Sequence, residues 1–340
     1  MRIAVDAMGG DYAPAEIVKG AVAGSRLHAV DVVLVGDEAR IKAHLPAGSA
    51  MSLAVSIVHA SEVIGMTEHV EAVRVKKDAS VVVAAGLVKS GEADAMVSLG
   101  NTAAAMAVAT LKFGRISGID RPAIAAVLPG KTGPTILLDA GAVADCEPEN
   151  LLDFAVMGSV YAEKVFGIAR PRVALLSIGE EKEKGNKLTH AAYDLLEATS
   201  LNFVGNIESR HLFSNTADVI VADGFAGNVA LKTAEGLAEH VNELVREDLH
   251  RHPLAYLTVA LLTPMLMRIK KKLDYSEHGG APLLGLDGVC VIGHGRSNAK
   301  AAANAVRAAK EAVDAGVVDS IRDSITGAQD ERAVTARKAT

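Results

Sequence analysis

The sequence predicts an α/β fold, with a mostly parallel sheet and helices packed on both of its faces. Short β-branched runs alternate along the chain with Ala-rich runs of ten or more residues, and this alternation is typical of strand–helix–strand units. The strand-like runs are continuously apolar, as in Val-Val-Leu-Val at 32–35 and Val-Ala-Leu-Leu at 173–176. Parallel strands that are covered on both faces have this composition.

Each strand is assigned to an apolar or β-branched run, and each helix to the Ala- or Leu-rich run that follows it. In chain order, the predicted elements are strand 2–6, helix 15–28, strand 31–35, a helix ending at 44, strand 52–58, helix 78–90, strand 95–98, helix 101–111, a β-hairpin of 123–128 and 134–138 around Gly130, helix 150–166, strand 172–176, helix 187–199, strand 218–222, helix 227–249, strand 288–292 and helix 297–315. We expect one α/β domain over residues 1–327, with a helical arm at about 250–283 and a disordered tail at 328–340.

Composition excludes several classes of function. The 340 residues include 35 Lys and Arg against 41 Asp and Glu, with 3% aromatic residues and no Trp. A protein that binds nucleic acid needs a basic face and often aromatic rings that stack on bases. We therefore do not expect this protein to bind nucleic acid. Two cysteines, Cys146 and Cys290, are too few for a disulfide scaffold. The sequence opens directly into strand 2–6 without a secretory pattern, and we expect a cytoplasmic protein.

Ligands of open parallel sheets bind beyond the carboxyl ends of the strands, so the residues that follow each strand carry the functional information. The first such loop contains Asp6, Gly9, Gly10 and Asp11. Its two adjacent glycines allow backbone N–H groups to approach a ligand, although a tight turn with a capping Asp explains the same residues.

Two further loops open helices. Asn101 and Thr102 follow strand 95–98, where they act either as helix caps or as an anion site at a helix N-terminus. Asp223, Gly227, Asn228 and Lys232 follow strand 218–222, and the last two are spaced i,i+4 on one helix face. Of all the loops, this one is the best suited to an anion.

Lys184 belongs to the charged loop after strand 172–176, which reads Gly-Glu-Glu-Lys-Glu-Lys-Gly-Asn at 179–186. Such charge runs are usually solvated loops. Placement between a buried strand and a helix nevertheless allows Lys184 to face the ligand crevice.

Several familiar motifs are missing. Gly130-Lys131-Thr132 resembles the end of a P-loop, but residue 125 is Ala and Pro134 follows. The chain has no complete G-x-G-x-x-G dinucleotide motif, no G-x-S-x-G nucleophile motif and no paired histidine spacing for zinc. We therefore expect no cofactor, no metal and no covalent nucleophile.

The stretch Leu254–Lys272 is strongly apolar and ends in four basic residues within five positions. It is either an oligomerisation arm or core hairpin, or an apolar tip that lies in a bilayer interface with basic residues at the headgroups. The residues that we assign to a membrane or dimer contact are Leu261, Leu262, Met265, Leu266, Lys270, Lys271 and Lys272.

These motifs resemble the PlsX family, the phosphate acyltransferases of bacterial phospholipid synthesis. The resembling segments span residues 1 to about 310 in family order: Ile3–Asp11, Val73–Ser80, Gly100–Thr102, Ile178–Glu181, Gly205–Glu208, Asp223–Asn228, Asp274–Glu277, Gly279–Gly285 and His294–Gly295. Two positions depart from the family pattern. Ala103 stands where the family usually has Gly, and Val143 stands where it has Asn.

The resemblance implies a Rossmann-like α/β fold related to phosphotransacetylases and isocitrate-type dehydrogenases. It implies transfer of a long-chain acyl group from acyl carrier protein to inorganic phosphate. It also implies a homodimer attached to the inner face of the cell membrane, whose acyl phosphate passes to a membrane acyltransferase that acylates glycerol 3-phosphate. A phosphotransacetylase that uses acetyl-CoA and a non-enzymatic membrane-surface scaffold are the alternatives.

An acyl thioester is already activated, so this reaction needs a positioned phosphate and donors for the oxyanion rather than a covalent nucleophile. We assign Lys184 and Asn228 to catalysis, and the polar loop residues to phosphate or substrate binding. Which donor meets phosphate and which meets the oxyanion stays open at this point. The predicted binding residues are Asp6, Gly9, Gly10, Asp11, Asn101, Thr102, Asp223, Gly227 and Lys232.

Overall fold

The computed structural model describes residues 1–46, 54–251, 265 and 279–326. Its strands are β1 (Arg2–Asp6), β2 (Asp31–Gly36), β3 (Val55–His59), β4 (Ala95–Ser98), β5 (Ala123–Ile124), β6 (Ala126–Pro129), β7 (Pro134–Leu138), β8 (Arg172–Ser177), β9 (Asn202–Glu208), β10 (Val219–Val221), β11 (Ala281–Leu284) and β12 (Val289–Ile292). Its helices are α1 (Ala15–His28), α2 (Glu38–His44), α3 (Ala72–Val75), α4 (Ser80–Lys89), α5 (Thr102–Phe113), α6 (Pro148–Phe166), α7 (Lys187–Glu197), α8 (Gly224–Arg251) and α9 (Ala299–Asp314).

The strands form two sheets. In the described part of the chain, one sheet has the order β3-β2-β1-β4-β12-β11-β5 and the other β6-β7-β10-β8-β9. The first sheet is parallel from β3 to β12, and β11 and β5 join its edge antiparallel. The second is parallel from β7 to β9, with β6 antiparallel at its edge. The mostly parallel α/β fold that the sequence predicts is confirmed, but its strands are divided between two sheets.

Three hydrophobic clusters among the described residues hold the layers together. One lies between the first sheet and helices α1 and α9, and another between the second sheet and α6 and α7. The third contains residues of both sheets together with α4 and α5, so the two sheets share one core. Small residues allow helices α1 and α9 to pack closely. A Cβ on Gly20 of α1 would lie 2.3 Å from the carbonyl oxygen of Ala299 in α9, so a larger residue at position 20 would push the helices apart.

Most predicted elements occur within a few residues of their predicted bounds. The hairpin around Gly130 forms between β6 and β7, but the predicted strand 123–128 is split, since β5 pairs with β11 in the other sheet. The strands β9 and β11 and the four-residue helix α3 were not predicted.

Two predicted segments, the helical arm and the C-terminal tail, lie mostly outside the described residues. The predicted arm at 250–283 is wrong at its end, because β11 (Ala281–Leu284) pairs with β12 and β5 as part of the first sheet. The rest of that arm lies outside the described residues, apart from Gly279, Gly280, the exposed Met265 and the end of α8. The predicted tail at 328–340 also lies outside them.

Candidate active site

The first turn of the chain is built around the buried carboxylate of Asp6. Its oxygens accept hydrogen bonds from the Ser80 hydroxyl at 2.6 Å and the Ser98 hydroxyl at 2.8 Å. Burial raises the pKa of Asp6, and the hydrogen bonds from Ser80 and Ser98 oppose that effect. Asp6 is 3% exposed, so it supports the glycine turn from beneath and does not face solvent.

Glycines from three strand ends pack against one another above Asp6. A Cβ on Gly9 would lie 3.0 Å from the Cα of Gly100, and a Cβ on Gly10 would lie 3.1 Å from the carbonyl oxygen of Gly295. The Asp11 N–H donates to that same carbonyl at 2.8 Å. The loops after β1, β4 and β12 therefore meet at one edge of the first sheet, as parallel strands require.

Asn101 is a structural cap of α5. Its side-chain oxygen accepts from the Ala104 N–H at 3.1 Å, and its amide donates to the carbonyls of Gly65, Met66 and Glu68. The amide thus ties the 65–68 loop over the strand ends. The neighbouring Thr102 is exposed and begins the helix, and Ala103 is also exposed, so its methyl group is accommodated.

A second buried carboxylate, that of Asp139, organises the end of β7. It accepts from the N–H groups of Ile124, Gly141, Ala142 and Val143 at 2.7–3.1 Å. Burial raises the pKa of Asp139, and these backbone donors oppose it. Val143 makes this contact through its backbone, which any residue at 143 would supply. The family pattern that includes Val143 also includes Asp139, but Asp139 is not among the site residues predicted from the sequence.

The Asp139 loop packs against the start of α8. A Cβ on Gly227 would lie 1.9 Å from the Asp139 carbonyl oxygen, so only glycine fits there. The Asp223 carboxylate accepts from the Ala226 N–H at 2.8 Å and caps the helix. A Cβ on Gly141, whose φ is +134°, would lie 3.3 Å from the Cβ of Asn228. These contacts fix Asn228 near the start of α8 with its side chain exposed.

A cavity of about 530 Å³ opens between the strand ends of the two sheets. The predicted residues Thr102, Asn228 and Lys232 line it together, so they share one site. Most of the wall is apolar and comes from β6 and α8, including Ala126, Leu128, Leu231, Ala234, Leu237, Ala238 and Val241. Phe213, Glu235, His294 and Ser297 also line it.

Three charged or polar side chains form a cluster at the polar end of this cavity. The Lys232 ammonium donates to Glu235 Oε2 at 2.8 Å and lies 3.4 Å from His294 Nδ1. His294 Nε2 lies 3.3 Å from Glu235 Oε1. Burial by itself raises the pKa of Glu235, but hydrogen bonds from His294 and Lys232 outweigh it and lower that pKa to about 2.

Sequence reasoning overlooked Glu235 and treated His294 only as part of a motif. Glu235 follows Lys232 by three positions in a helix, and that spacing is the signal for contact. The pairing with His294 joins residues 59 positions apart, so it depends on the tertiary fold.

Lys184 lies elsewhere. Its side chain is exposed in the loop after β8 and is not among the residues that line the cavity. The loop is ordered by local contacts: the Lys184 N–H donates to the Glu181 carbonyl at 3.0 Å, and the Ser177 hydroxyl donates to the Lys184 carbonyl at 3.2 Å. Gly9, Gly10, Asp11 and Gly227 also lie outside the lining, as structural parts of the turns that frame it.

The described residues give no support for a metal site, a reactive cysteine or a membrane-spanning helix. Among the described residues, no three His, Cys, Asp or Glu side chains are grouped to hold a metal ion. Burial raises the pKa of the Cys146 thiol to about 11 and that of Cys290 to about 12, so neither is a reactive thiolate near neutral pH. In the described ranges, no helix has both the length and the apolar composition needed to cross a bilayer.

Comparisons with known proteins decide the family. A family model described as a fatty acid synthesis protein matches residues 1–320. This chain belongs to that family. The phosphate acyltransferase of Pelotomaculum thermopropionicum is 54% identical over 326 residues, covering 96% of this chain and 95% of the relative. A phosphate acyltransferase of Desulfitobacterium hafniense is 53% identical over 327 residues, covering 96% and 98%. The predicted family and the predicted enzyme class, an acyltransferase, are confirmed.

Solved structures show the same fold at low sequence identity. EutD phosphotransacetylase from Staphylococcus aureus aligns with a TM-score of 0.58 and 16% identity over 92% of this chain and 94% of its own. A branched-chain phosphotransacylase from Enterococcus faecalis aligns with a TM-score of 0.59 and 14% identity over 92% and 99%. The predicted relationship to the phosphotransacetylase fold is therefore confirmed.

Proposed function

We propose that this acyltransferase moves a long-chain acyl group from the thioester of acyl carrier protein to inorganic phosphate, which yields acyl phosphate and free carrier protein. The observation that carries the proposal is the cavity itself, which joins a donor-rich polar end, where Lys232 lies, to a long apolar wall. The names of the relatives in this family support phosphate as the acceptor.

The polar end suits a phosphate dianion. Helices α5, α8 and α9 all begin beside it, since Thr102, Asn228 and Ser297 line the cavity within a turn or two of each helix start. Helix N-termini present N–H groups and a partial positive charge. Lys232 adds a full charge, and the Asn228 amide and Thr102 hydroxyl add neutral donors.

The apolar wall suits an acyl chain. It follows α8 from Leu231 to Val241 and β6 from Ala126 to Pro129. Each buried methylene contributes about 0.8 kcal/mol, so a long chain gains more from this wall than an acetyl group does. This difference favours a long-chain donor over acetyl-CoA.

The chemistry follows from bringing the two ends together. A phosphate held at the polar end lies next to the thioester carbonyl of a chain on the wall, so a bimolecular encounter becomes a positioned one. Donors that meet the oxyanion of the tetrahedral intermediate contribute roughly 3–4 kcal/mol each. We assign that part to Asn228, and phosphate binding to Lys232 and Thr102. Lys184, which the sequence assigned to catalysis, lies outside the cavity lining and has no part in this step.

We further propose a homodimer that attaches to the cytoplasmic face of the cell membrane and hands its acyl phosphate to a membrane acyltransferase for glycerol 3-phosphate. Among its described side chains, helix α8 exposes four large apolar ones outside the cavity lining, which a second subunit or a bilayer would cover. They are Phe225, Val229, Leu244 and Val245. Leu254–Lys272, the predicted contact segment, lies outside the described residues apart from Met265.

The direct test mixes the purified protein with palmitoyl-acyl carrier protein and inorganic phosphate. We expect acyl phosphate, trapped as its hydroxamate, together with stoichiometric free carrier protein. Acetyl-CoA at the same concentration is the comparison donor, and reactions without phosphate are the control. Turnover of acetyl-CoA with none of palmitoyl-carrier protein would favour a phosphotransacetylase instead, and turnover of neither would favour the scaffold.

A further inference from the structure

Glu235 and His294 form a carboxylate–imidazole pair at the polar end of the cavity. The side chain of Glu235 is 23% exposed and that of His294 is 45% exposed, so the carboxylate lies deeper and the ring faces the cavity that it lines. Glu235 Oε1 lies 3.3 Å from His294 Nε2. The pair joins α8 to the loop after β12, which places it between the two sheets.

This geometry selects one tautomer of the ring. A carboxylate accepts only, so the Nε2 atom that meets Glu235 carries the proton. The ammonium of Lys232 donates only, so the Nδ1 atom 3.4 Å from it carries the lone pair. Because the carboxylate of Glu235 stays ionised over the physiological range, it holds this arrangement at working pH.

We propose that His294 is the general base and acid of the reaction and that Glu235 is its positioning residue, an assignment that rests on the function proposed above. An oxygen of hydrogenphosphate forms the C–O bond to the thioester carbonyl carbon, and the phosphate hydroxyl gives its proton to Nδ1. The tetrahedral intermediate then breaks its C–S bond, with the electron pair going to sulfur. The imidazolium returns the proton from Nδ1 to that thiolate, so the products are acyl phosphate and a thiol.

Lys232 has a defined part in this sequence. In the free protein its ammonium lies against Nδ1 and Glu235. An incoming phosphate dianion is a stronger partner for an ammonium than a neutral ring nitrogen is. Lys232 therefore turns to the phosphate, and the Nδ1 lone pair then accepts the phosphate proton. The roles are those of a carboxylate–histidine pair, in which the carboxylate orients the imidazole ring and the ring transfers the proton.

Two variants test the proton transfer. We expect His294→Ala to lower kcat about 100-fold, which lies in the range for a lost general base, and imidazole in the buffer to restore at least part of it. His240→Ala is the matched control, because His240 is exposed on α8 and does not line the cavity. We expect Glu235→Gln to lower kcat about 10-fold with little change in the phosphate KM, and the exposed Glu239→Gln to have no effect.

A spectroscopic measurement tests the pair without turnover. The ¹⁵N shifts of His294 in the free enzyme, assigned by comparison with His294→Ala, should show a proton on Nε2 and none on Nδ1. A proton on Nδ1 would overturn the assignment whatever the activity. So would full activity of His294→Ala, or a loss that imidazole does not restore.

The two proposals fail differently. If the wild-type protein forms no acyl phosphate, the proposed function fails and the base role fails with it, even where the ¹⁵N shifts report the expected tautomer. If wild type is active and His294→Ala is equally active, only the inference about His294 fails.

Discussion

The backbones of Gly9 and Gly100 are in direct contact, and a Cβ added to Gly100 would lie 2.9 Å from the Cα of Gly9. Neither residue can carry a side chain without moving the other, because both neighbours are main chain. The contact joins the turns after β1 and β4, and Asp6 supports it from below through Ser80 and Ser98. This packing sets the position of Asn101 and Thr102 at the start of α5, and with them one wall of the site.

The first prediction concerns this contact. We expect Gly100→Ala to lower the free energy of unfolding by about 2 kcal/mol, as overpacked positions do, measured by urea denaturation. Gly86→Ala is the control, because Gly86 lies inside α4 with no neighbour within 4 Å of an added Cβ. It should raise the stability by about 0.5–1 kcal/mol. Equal stability of Gly100→Ala and wild type would contradict the packing.

The second prediction concerns the two residues assigned to catalysis. We expect Asn228→Ala to fold normally and to lose roughly 10²-fold or more in kcat/KM, the cost of a donor that meets transition-state charge. The exposed side chain of Lys184 lies outside the cavity lining, so we expect Lys184→Ala to keep near-wild-type turnover and to serve as the control. Near-wild-type turnover of Asn228→Ala with unchanged melting would remove Asn228 from the site.

The third prediction concerns the apolar wall. Ala234 lines the cavity from α8, while the adjacent Thr233 is exposed and does not. We expect Ala234→Leu to lower kcat/KM for a C16 acyl donor about 15- to 60-fold relative to a C8 donor, because two or three displaced methylenes contribute about 0.8 kcal/mol each. Thr233→Leu should leave the ratio unchanged. A C16 to C8 ratio unaffected by Ala234→Leu would place the acyl chain elsewhere.

The fourth prediction is a pH dependence of stability. The folded protein lowers the pKa of Glu235 from 4.5 to about 2, so between these values the unfolded state binds more protons and stability falls as pH falls. We expect Glu235→Gln to cost about 1 kcal/mol at pH 7 by urea unfolding, a value reduced for partial solvent exposure. The difference from wild type should shrink below pH 4.5. Glu239→Gln should show no such trend, and a difference that is constant with pH would exclude the ion-paired carboxylate.

The fifth prediction concerns membrane attachment through Leu254–Lys272. Burial of an apolar side chain contributes about 1.5–3 kcal/mol, and each basic residue adds about 1 kcal/mol at an anionic surface. We expect wild type to sediment with anionic vesicles and Leu262→Glu/Leu266→Glu to remain in solution as a dimer. A double mutant that still pellets would exclude this contact, and one that becomes monomeric would assign the segment to the dimer interface.

Local patterns were sufficient for most of the fold. Apolar runs and the helices between them predicted the α/β class, because a covered parallel strand must be apolar on both faces. The same patterns placed Thr102, Asn228 and Lys232 at strand ends, where the structure gathers them around one cavity. The split of the predicted strand 123–128 was not foreseen, since β5 has only two residues and its place in the first sheet depends on pairing with the distant β11.

Only the tertiary structure shows which distant segments of the chain are in contact. The sequence by itself determined the class of fold, the family and the loops that carry polar groups, because these depend on local composition and on motifs. The division of the strands into two sheets, the contact of Gly9 with Gly100 and the pairing of Glu235 with His294 required the folded chain. Each joins segments that are far apart in sequence, and contacts of that kind form only when a shared core brings the segments together.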